Sequence, residues 1–145
     1  MSCRTSLFSI VVASLLSTAP ATSAEPAGLQ TPVKGLRSAK GRVGCLLFAS
    51  ADGFPGDQKK ARQRVLGVIA DGAAVCKFDV PAGSYAIVAM HDENANGKLD
   101  TNVVGMPTEG YGASKGAQGT FGPKYEDARF DYRGGSLTMP ITLKY

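Results

Sequence analysis

Apolar and polar residues alternate along much of this chain with the two-residue period of half-buried β-strands. The alternating segments are residues 74–80, 128–132 and 136–143. Three further segments are apolar almost throughout, as strands buried on both faces are, and these are residues 42–49, 65–70 and 84–90. Turn residues separate the segments, and Asp71-Gly72 is the strongest hairpin signal among them. The pattern therefore predicts short strands joined by turns.

Helical periodicity is nearly absent after residue 24, which favours an all-β fold. Six or seven short strands predict an antiparallel β-sandwich, immunoglobulin-like or transthyretin-like, over residues 41–145. Residues 25–40 are expected to form a linker or an edge strand, because Pro32 has no N–H for an interior ladder. Residues 101–125 contain six glycines and predict one long loop, a feature that is usually functional or mobile.

The first 24 residues have the three-part pattern of a secretory signal peptide. Arg4 gives a basic start, residues 7–16 are mostly apolar, and small residues end the segment at Ala24. The apolar part is shorter than the roughly 20 residues that a membrane-spanning helix needs. We therefore expect export to the periplasm or the exterior, with a mature chain from Glu25. A buried N-terminal helix is the alternative.

Two cysteines, Cys45 and Cys76, would remain after cleavage of the signal peptide. In an oxidising compartment an even pair most simply forms a disulfide. Its loop of about 30 residues would give a stabilisation of about 3–4 kcal/mol in the chain-entropy model. Two buried thiols are the alternative, because free cysteine also packs well in apolar strands.

The formal net charge is +4, and the basic residues are scattered along the chain. Nucleic-acid binding would require a recognised fold or aromatic residues interleaved with the basic ones, and the sequence has neither. No second apolar run approaches membrane length after the signal segment. The expected partner is therefore an envelope or extracellular molecule, with neither nucleic acid nor a transmembrane span involved.

Oxygen-bearing side chains follow the predicted strand 84–90 at calcium-loop spacing. The candidate ligands are Asp92, Asn94, Asn96 and Asp100, with the backbone carbonyl of Lys98. Gly97 at the sixth position completes a loop of the EF-hand type. Val103 replaces the bidentate glutamate at the twelfth position, so calcium, the one candidate cofactor, would bind weakly, with Glu109 available to complete its shell. The alternative is a metal-free turn in which Asp and Asn bond their own backbone.

Candidate binding residues on the long loop are Glu109, Tyr111, Phe121 and Tyr125. Loop aromatics either stack on a sugar or partner or anchor the loop by packing on the sheet. The pattern favours a non-catalytic binding module. The alternatives are a purely structural envelope component and a hydrolase using the carboxylates of Asp92, Asp100 or Glu109. His91 points away from Asp92 in a strand, which favours a structural role for this histidine.

Several stretches resemble a bacterial exported family, domain of unknown function 2141. They are residues 81–86, 91–102, 105–114, 121–123, 125–130 and 141–145. The resemblance implies an exported β-sandwich without assigned activity, and it supplies no catalytic residues. Residues 81–85 are also similar to transthyretin-like and carboxypeptidase-regulatory modules, which are accessory or binding domains. The chain departs from the family pattern at Ala113, where a phenylalanine is usual, and at Lys115-Gly116, where asparagines are usual.

Overall fold

The computed structural model describes residues 28–145 and shows two five-stranded β-sheets packed face to face. The strands are β1 (Gly28–Lys34), β2 (Arg42–Phe48), β3 (Gln63–Gly67), β4 (Ile69–Ala70), β5 (Ala73–Phe78), β6 (Gly83–Asp92), β7 (Tyr111–Ala113), β8 (Phe130–Tyr132), β9 (Ser136–Thr138) and β10 (Ile141–Thr142). The first sheet contains β1, β4, β5, β9 and β10, and the second contains β2, β3, β6, β7 and β8. The predicted all-β sandwich is confirmed. The predicted signal peptide, residues 1–24, lies outside the described residues.

β6 is the longest strand and lies at the centre of the second sheet. It pairs antiparallel with β2 along one edge, and with β8 and then β7 along the other. Its burial on both faces agrees with the uninterrupted apolar segment in the sequence. Inward side chains of β6, such as Ile87 and Ala89, pack in the main core between the sheets. Its outward side chains, such as Ala86 and Val88, pack in a second, outer cluster.

The prediction that residues 25–40 form a linker or an edge strand is wrong for β1. This strand pairs antiparallel with β5 on one side and parallel with β9 and β10 on the other. Met139 and Leu143 donate their N–H groups to the carbonyls of Gln30 and Lys34. Pro32 lies midway between those residues and faces the same side, where the pairing passes from β9 to β10. Its missing N–H therefore falls at a break in the ladder.

The predicted strand 65–70 is divided between the two sheets. β3 belongs to the second sheet and β4 to the first, and exposed Val68 lies between them. The expected Asp71-Gly72 hairpin joins β4 to β5, and both of its residues have positive φ angles of 52° and 73°. Those angles are typical of the type I′ turn that this dipeptide favours.

A disulfide joins Cys45 of β2 to Cys76 of β5 and so links the two sheets through the main core. The predicted pairing is present, with 6.4 Å between the Cα atoms. No helix among residues 28–145 is long and apolar enough to span a membrane.

The long loop contains more regular structure than the sequence indicates. β7 lies within it, followed by a 3₁₀ turn (Ser114–Gly116), and a short helix α1 (Tyr125–Ala128) begins where the predicted loop ends. The buried Ser114 hydroxyl accepts the N–H of Ile87 and donates to the carbonyl of Ala128, at 3.0 and 2.7 Å. These bonds fix the loop against the outer face of the second sheet.

Candidate functional site

The turn at residues 92–100, here called the oxygen-rich turn, begins at the last residue of β6. Asp92 is 1% exposed, and its Oδ1 accepts the N–H of Asn96 at 2.9 Å. Its Oδ2 accepts the N–H of Gly97 at 2.8 Å and the Nε–H of Arg42 at 3.1 Å. Arg42, from β2, therefore balances the charge of this buried carboxylate. Gly97 has a φ of 81°, which glycine adopts without strain.

Amide side chains surround the second carboxylate of the turn. Asn94 and Asn96 donate their Nδ2 groups to Asp100, at 2.6 and 2.8 Å. The Oδ1 of Asn94 accepts the N–H of Asn96, and the Oδ1 of Asn96 accepts the N–H of Lys98. The four side chains that the sequence selects are thus brought together in one network. They form the side-chain-to-backbone bonds of an Asx-rich turn.

A calcium ion fits this arrangement poorly. The two carboxylates already face donors, namely backbone N–H groups, amide Nδ2 atoms and the guanidinium of Arg42. A cation would require both asparagine amides to break their bonds and Arg42 to withdraw. Among residues 28–145 no group of three His, Cys, Asp or Glu side chains forms a metal cluster. Calcium binding therefore stays a prediction, and the hydrogen bonds account for these residue types without it.

Glu109 ties the long loop to the oxygen-rich turn. The residue is 4% exposed, and its Oε1 accepts the N–H of Glu93 at 2.8 Å. Its Oε2 accepts the N–H of Asp100 at 3.1 Å. Both carboxyl oxygens are therefore used within the protein. Glu109 therefore connects both ends of the oxygen-rich turn to the segment that leads into β7.

The side chain of Glu93, within the oxygen-rich turn, fixes the segment before β2. Glu93 forms an ion pair with Arg37 and accepts the hydroxyl of Ser38 at 2.7 Å. The hydrogen bonds from Arg37, and then from Ser38, lower the pKa of Glu93 from 4.5 to about 2. Glu93 is thus a carboxylate in any ordinary buffer.

His91 is fully buried, and both ring nitrogens have partners. Its Nε2 donates to the carbonyl of Lys40 at 2.8 Å, because a carbonyl can only accept. In the neutral imidazole, Nδ1 then accepts the hydroxyl of Tyr145 at 2.7 Å. The expected structural role of His91 agrees with these contacts.

An apolar cavity of about 490 Å³ opens on the outer face of the second sheet. Leu46, Val88 and Met90 of β2 and β6 form its floor. One wall comes from residues 99–107, where the oxygen-rich turn leads into the long loop, and another wall comes from residues 120–123. Volumes of 300–1,000 Å³ and mainly apolar linings are typical of small-molecule sites.

The oxygen-rich turn positions one wall of this cavity. Gln58, which lines the cavity, donates from Nε2 to the carbonyl of Gly97 at 2.7 Å. The carbonyl of Asp100 accepts both the N–H and the hydroxyl of Thr108, at 2.8 and 3.1 Å. The turn therefore orients the wall that follows it, although none of its carboxylates lines the cavity.

The loop aromatics have different positions. Tyr111 lines the cavity, and Phe121 lies at its edge with a side chain that is fully exposed. Tyr125 is buried in the outer cluster, with its ring 5.8 Å from the ring of Phe54. The expectation that the loop aromatics pack on the sheet therefore agrees with the position of Tyr125 and not with that of Phe121. Glu109 and Tyr125 do not reach the cavity.

The aliphatic part of this site is not among the residues predicted from the sequence. Val104 and Met106 line the cavity, and both are largely exposed. The available signal in the sequence was the presence of large apolar residues within a predicted loop, since apolar residues that become exposed there commonly mark a contact surface. Of the described side chains that line the cavity, the phenol of Tyr111 is the one acid or base, so a catalytic pair is lacking there.

Comparison with known proteins gives a family but no closer relative. No curated protein and no solved structure matches the chain. The family model that does match covers residues 31–139, which is most of the chain and includes β2, β6, the oxygen-rich turn and both walls of the cavity. The chain therefore belongs to the family described as an uncharacterized protein conserved in bacteria (DUF2141).

Proposed function

We propose that this protein is an exported, non-catalytic module that binds a small apolar molecule in the cavity beside the long loop. The observation that carries the proposal is the cavity itself, with its floor of Leu46, Val88 and Met90 and its exposed apolar walls. Burial of apolar ligand surface against such a lining is favourable by about 25 cal/mol per Å².

The positions of the carboxylates favour binding over hydrolysis. Both oxygens of Asp92 and both oxygens of Glu109 accept hydrogen bonds from the protein. A general acid or base must instead reach the substrate. The cavity also favours a binding module over a purely structural envelope component, because a structural component needs no open apolar cavity.

Binding is tested with the neutral fluorescent probe N-phenyl-1-naphthylamine, whose emission rises in apolar surroundings. We expect saturable enhancement with the purified protein. Val104→Asp, which puts a charge on the cavity wall, should weaken binding at least tenfold, because the bound apolar probe would take that charge out of water without a partner.

Val68→Asp is the matched control, because Val68 is also largely exposed but lies outside the cavity. It should bind the probe as the unaltered protein does. Absence of saturable binding, or equal loss in the two variants, would overturn the proposed function.

Export is supported by the leader pattern and by the disulfide between the sheets. We expect Leu15→Arg, in the apolar leader segment, to leave uncleaved protein in the cytoplasm. Cell fractionation and mass measurement of the mature N-terminus test this. Unchanged processing of the variant would contradict the leader assignment.

A further inference from the structure

We infer that the ligand of this cavity is an anionic single-chain amphiphile, with its chain in the cavity and its head at three lysines on the rim. This inference rests on the proposed function and adds the chemical class of the ligand. The three lysines, here called the lysine rim, are Lys59, Lys98 and Lys124.

The lysine rim is defined by position. Each of its lysines immediately adjoins a residue that lines the cavity, namely Gln58, Leu99 or Pro123. The three cavity residues come from three separate segments of the chain. All three lysines are exposed. A lysine carries its charge on a flexible four-carbon stem, which allows it to follow a head group at the opening.

The rim charges are not used within the protein. In the part of the chain that the structure describes, none of the three lysines forms an ion pair. Lys60, next to Lys59, differs because it is paired with Asp52 at 2.9 Å.

Acidic residues near the opening do not fully neutralise the positive charge of the lysine rim. Asp100 directs both carboxyl oxygens to the amides of Asn94 and Asn96. Asp57 is exposed and accepts the backbone N–H of Lys59 at 3.0 Å. Three lysines and two carboxylates, those of Asp57 and Asp100, therefore adjoin the lining, which leaves a net charge of +1 next to the cavity.

The lining favours a ligand that has two chemically different parts. The floor and walls are aliphatic or aromatic, so they favour a hydrocarbon chain. The polar groups that line the cavity, on Gln58, Thr101, Tyr111 and Thr120, are few and uncharged. Negative charge on a ligand is therefore accommodated at the opening rather than inside.

The inference predicts a charge preference at constant chain length. Decanoate, decanol and decylammonium, each below its micellar concentration, are compared by displacement of N-phenyl-1-naphthylamine at 20 mM salt. We expect decanoate to bind at least fivefold more tightly than decanol, and decylammonium to bind most weakly. The preference should fall towards unity at 0.5 M salt, because exposed charges are screened.

The lysine rim is tested by the triple variant Lys59→Gln, Lys98→Gln and Lys124→Gln. It should lose the decanoate preference and keep its affinity for decanol. The control is Lys34→Gln, Lys77→Gln and Arg133→Gln, which removes the same charge from positions that adjoin no cavity residue. The control should retain the preference.

The outcomes separate this inference from the proposed function. Equal binding of decanoate and decanol overturns the inference and leaves apolar binding intact. Failure of all three ligands, together with the probe, overturns both. The assignment of the head-group site to these lysines is overturned if the preference for decanoate over decanol survives in the rim variant. It is also overturned if that preference disappears equally in the control.

Discussion

Glu109 accepts the backbone N–H of Glu93 at 2.8 Å and so joins the long loop to the first residue after β6. The second carboxyl oxygen of Glu109 accepts the N–H of Asp100. One buried side chain thus fixes both ends of the oxygen-rich turn. The wall of the cavity between residues 99 and 107 depends on this connection for its position.

Replacement of Glu109 is expected to destabilise the protein. Glu109→Ala removes two charge-assisted bonds and leaves two backbone N–H groups unpaired, for a loss of about 3 kcal/mol in the free energy of unfolding. Glu109→Gln keeps one acceptor oxygen and should cost about half as much. Urea denaturation measures both. Glu126→Gln, at a largely exposed site, is the control and should change stability by less than about 0.5 kcal/mol.

Acid should weaken the contact between Glu93 and Arg37. Since the pKa of Glu93 is lowered from 4.5 to about 2, its stabilisation is complete above about pH 4.5 and is lost as the pH falls through about 2. In Arg37→Ala the pKa of Glu93 should rise towards 4.5, as followed by NMR titration of its carboxyl carbon. Arg129→Ala, which removes an exposed ion pair elsewhere, should leave that titration unchanged.

Calcium should have little effect on stability at low concentration. The amides and Arg42 already face the carboxylates of the oxygen-rich turn, so a cation has to displace them. We expect no change in melting temperature at 0.1 mM calcium and none on adding a chelator. A melting shift at that concentration that disappears in Asp100→Asn would instead show a calcium site in this turn.

Thr31 offers a stabilising substitution in the main core. Its side chain is fully buried on the same side of β1 as Leu29 and Val33. Within residues 28–145 its hydroxyl has no hydrogen-bond partner. Thr31→Val keeps the shape and removes the unpaired group, so the free energy of unfolding should rise by about 1 kcal/mol. Thr142→Val, at an exposed strand position, is the comparison, and an equal gain there would point to strand propensity instead.

Local patterns predicted the central framework well. The apolar segment 84–90 lies within β6, and the Asp71-Gly72 turn is formed as its residue types indicate. These features are determined by residues that are close together in the sequence, so a local pattern is sufficient to predict them. The oxygen-rich turn was also recognisable, since alternate Asp and Asn side chains face one another in a tight turn.

Features that depend on distant segments were not predictable in the same way. Pro32 indicates an edge strand until the break between β9 and β10 is known. The segment 65–70 looks like one strand, but the chain changes sheets at Val68. The cavity combines three strands with several loop segments, and a sequence pattern does not give the volume that such distant segments enclose.

The exposure of Phe121 and Val104 has a practical consequence for protein engineering. These side chains belong to neither apolar cluster, while the sheets, the disulfide and Glu109 provide the rigidity beneath them. Residues at the two loop tips can therefore be randomised in a library with little loss of folded protein, and selection from that library would test how many different ligands the same framework can bind.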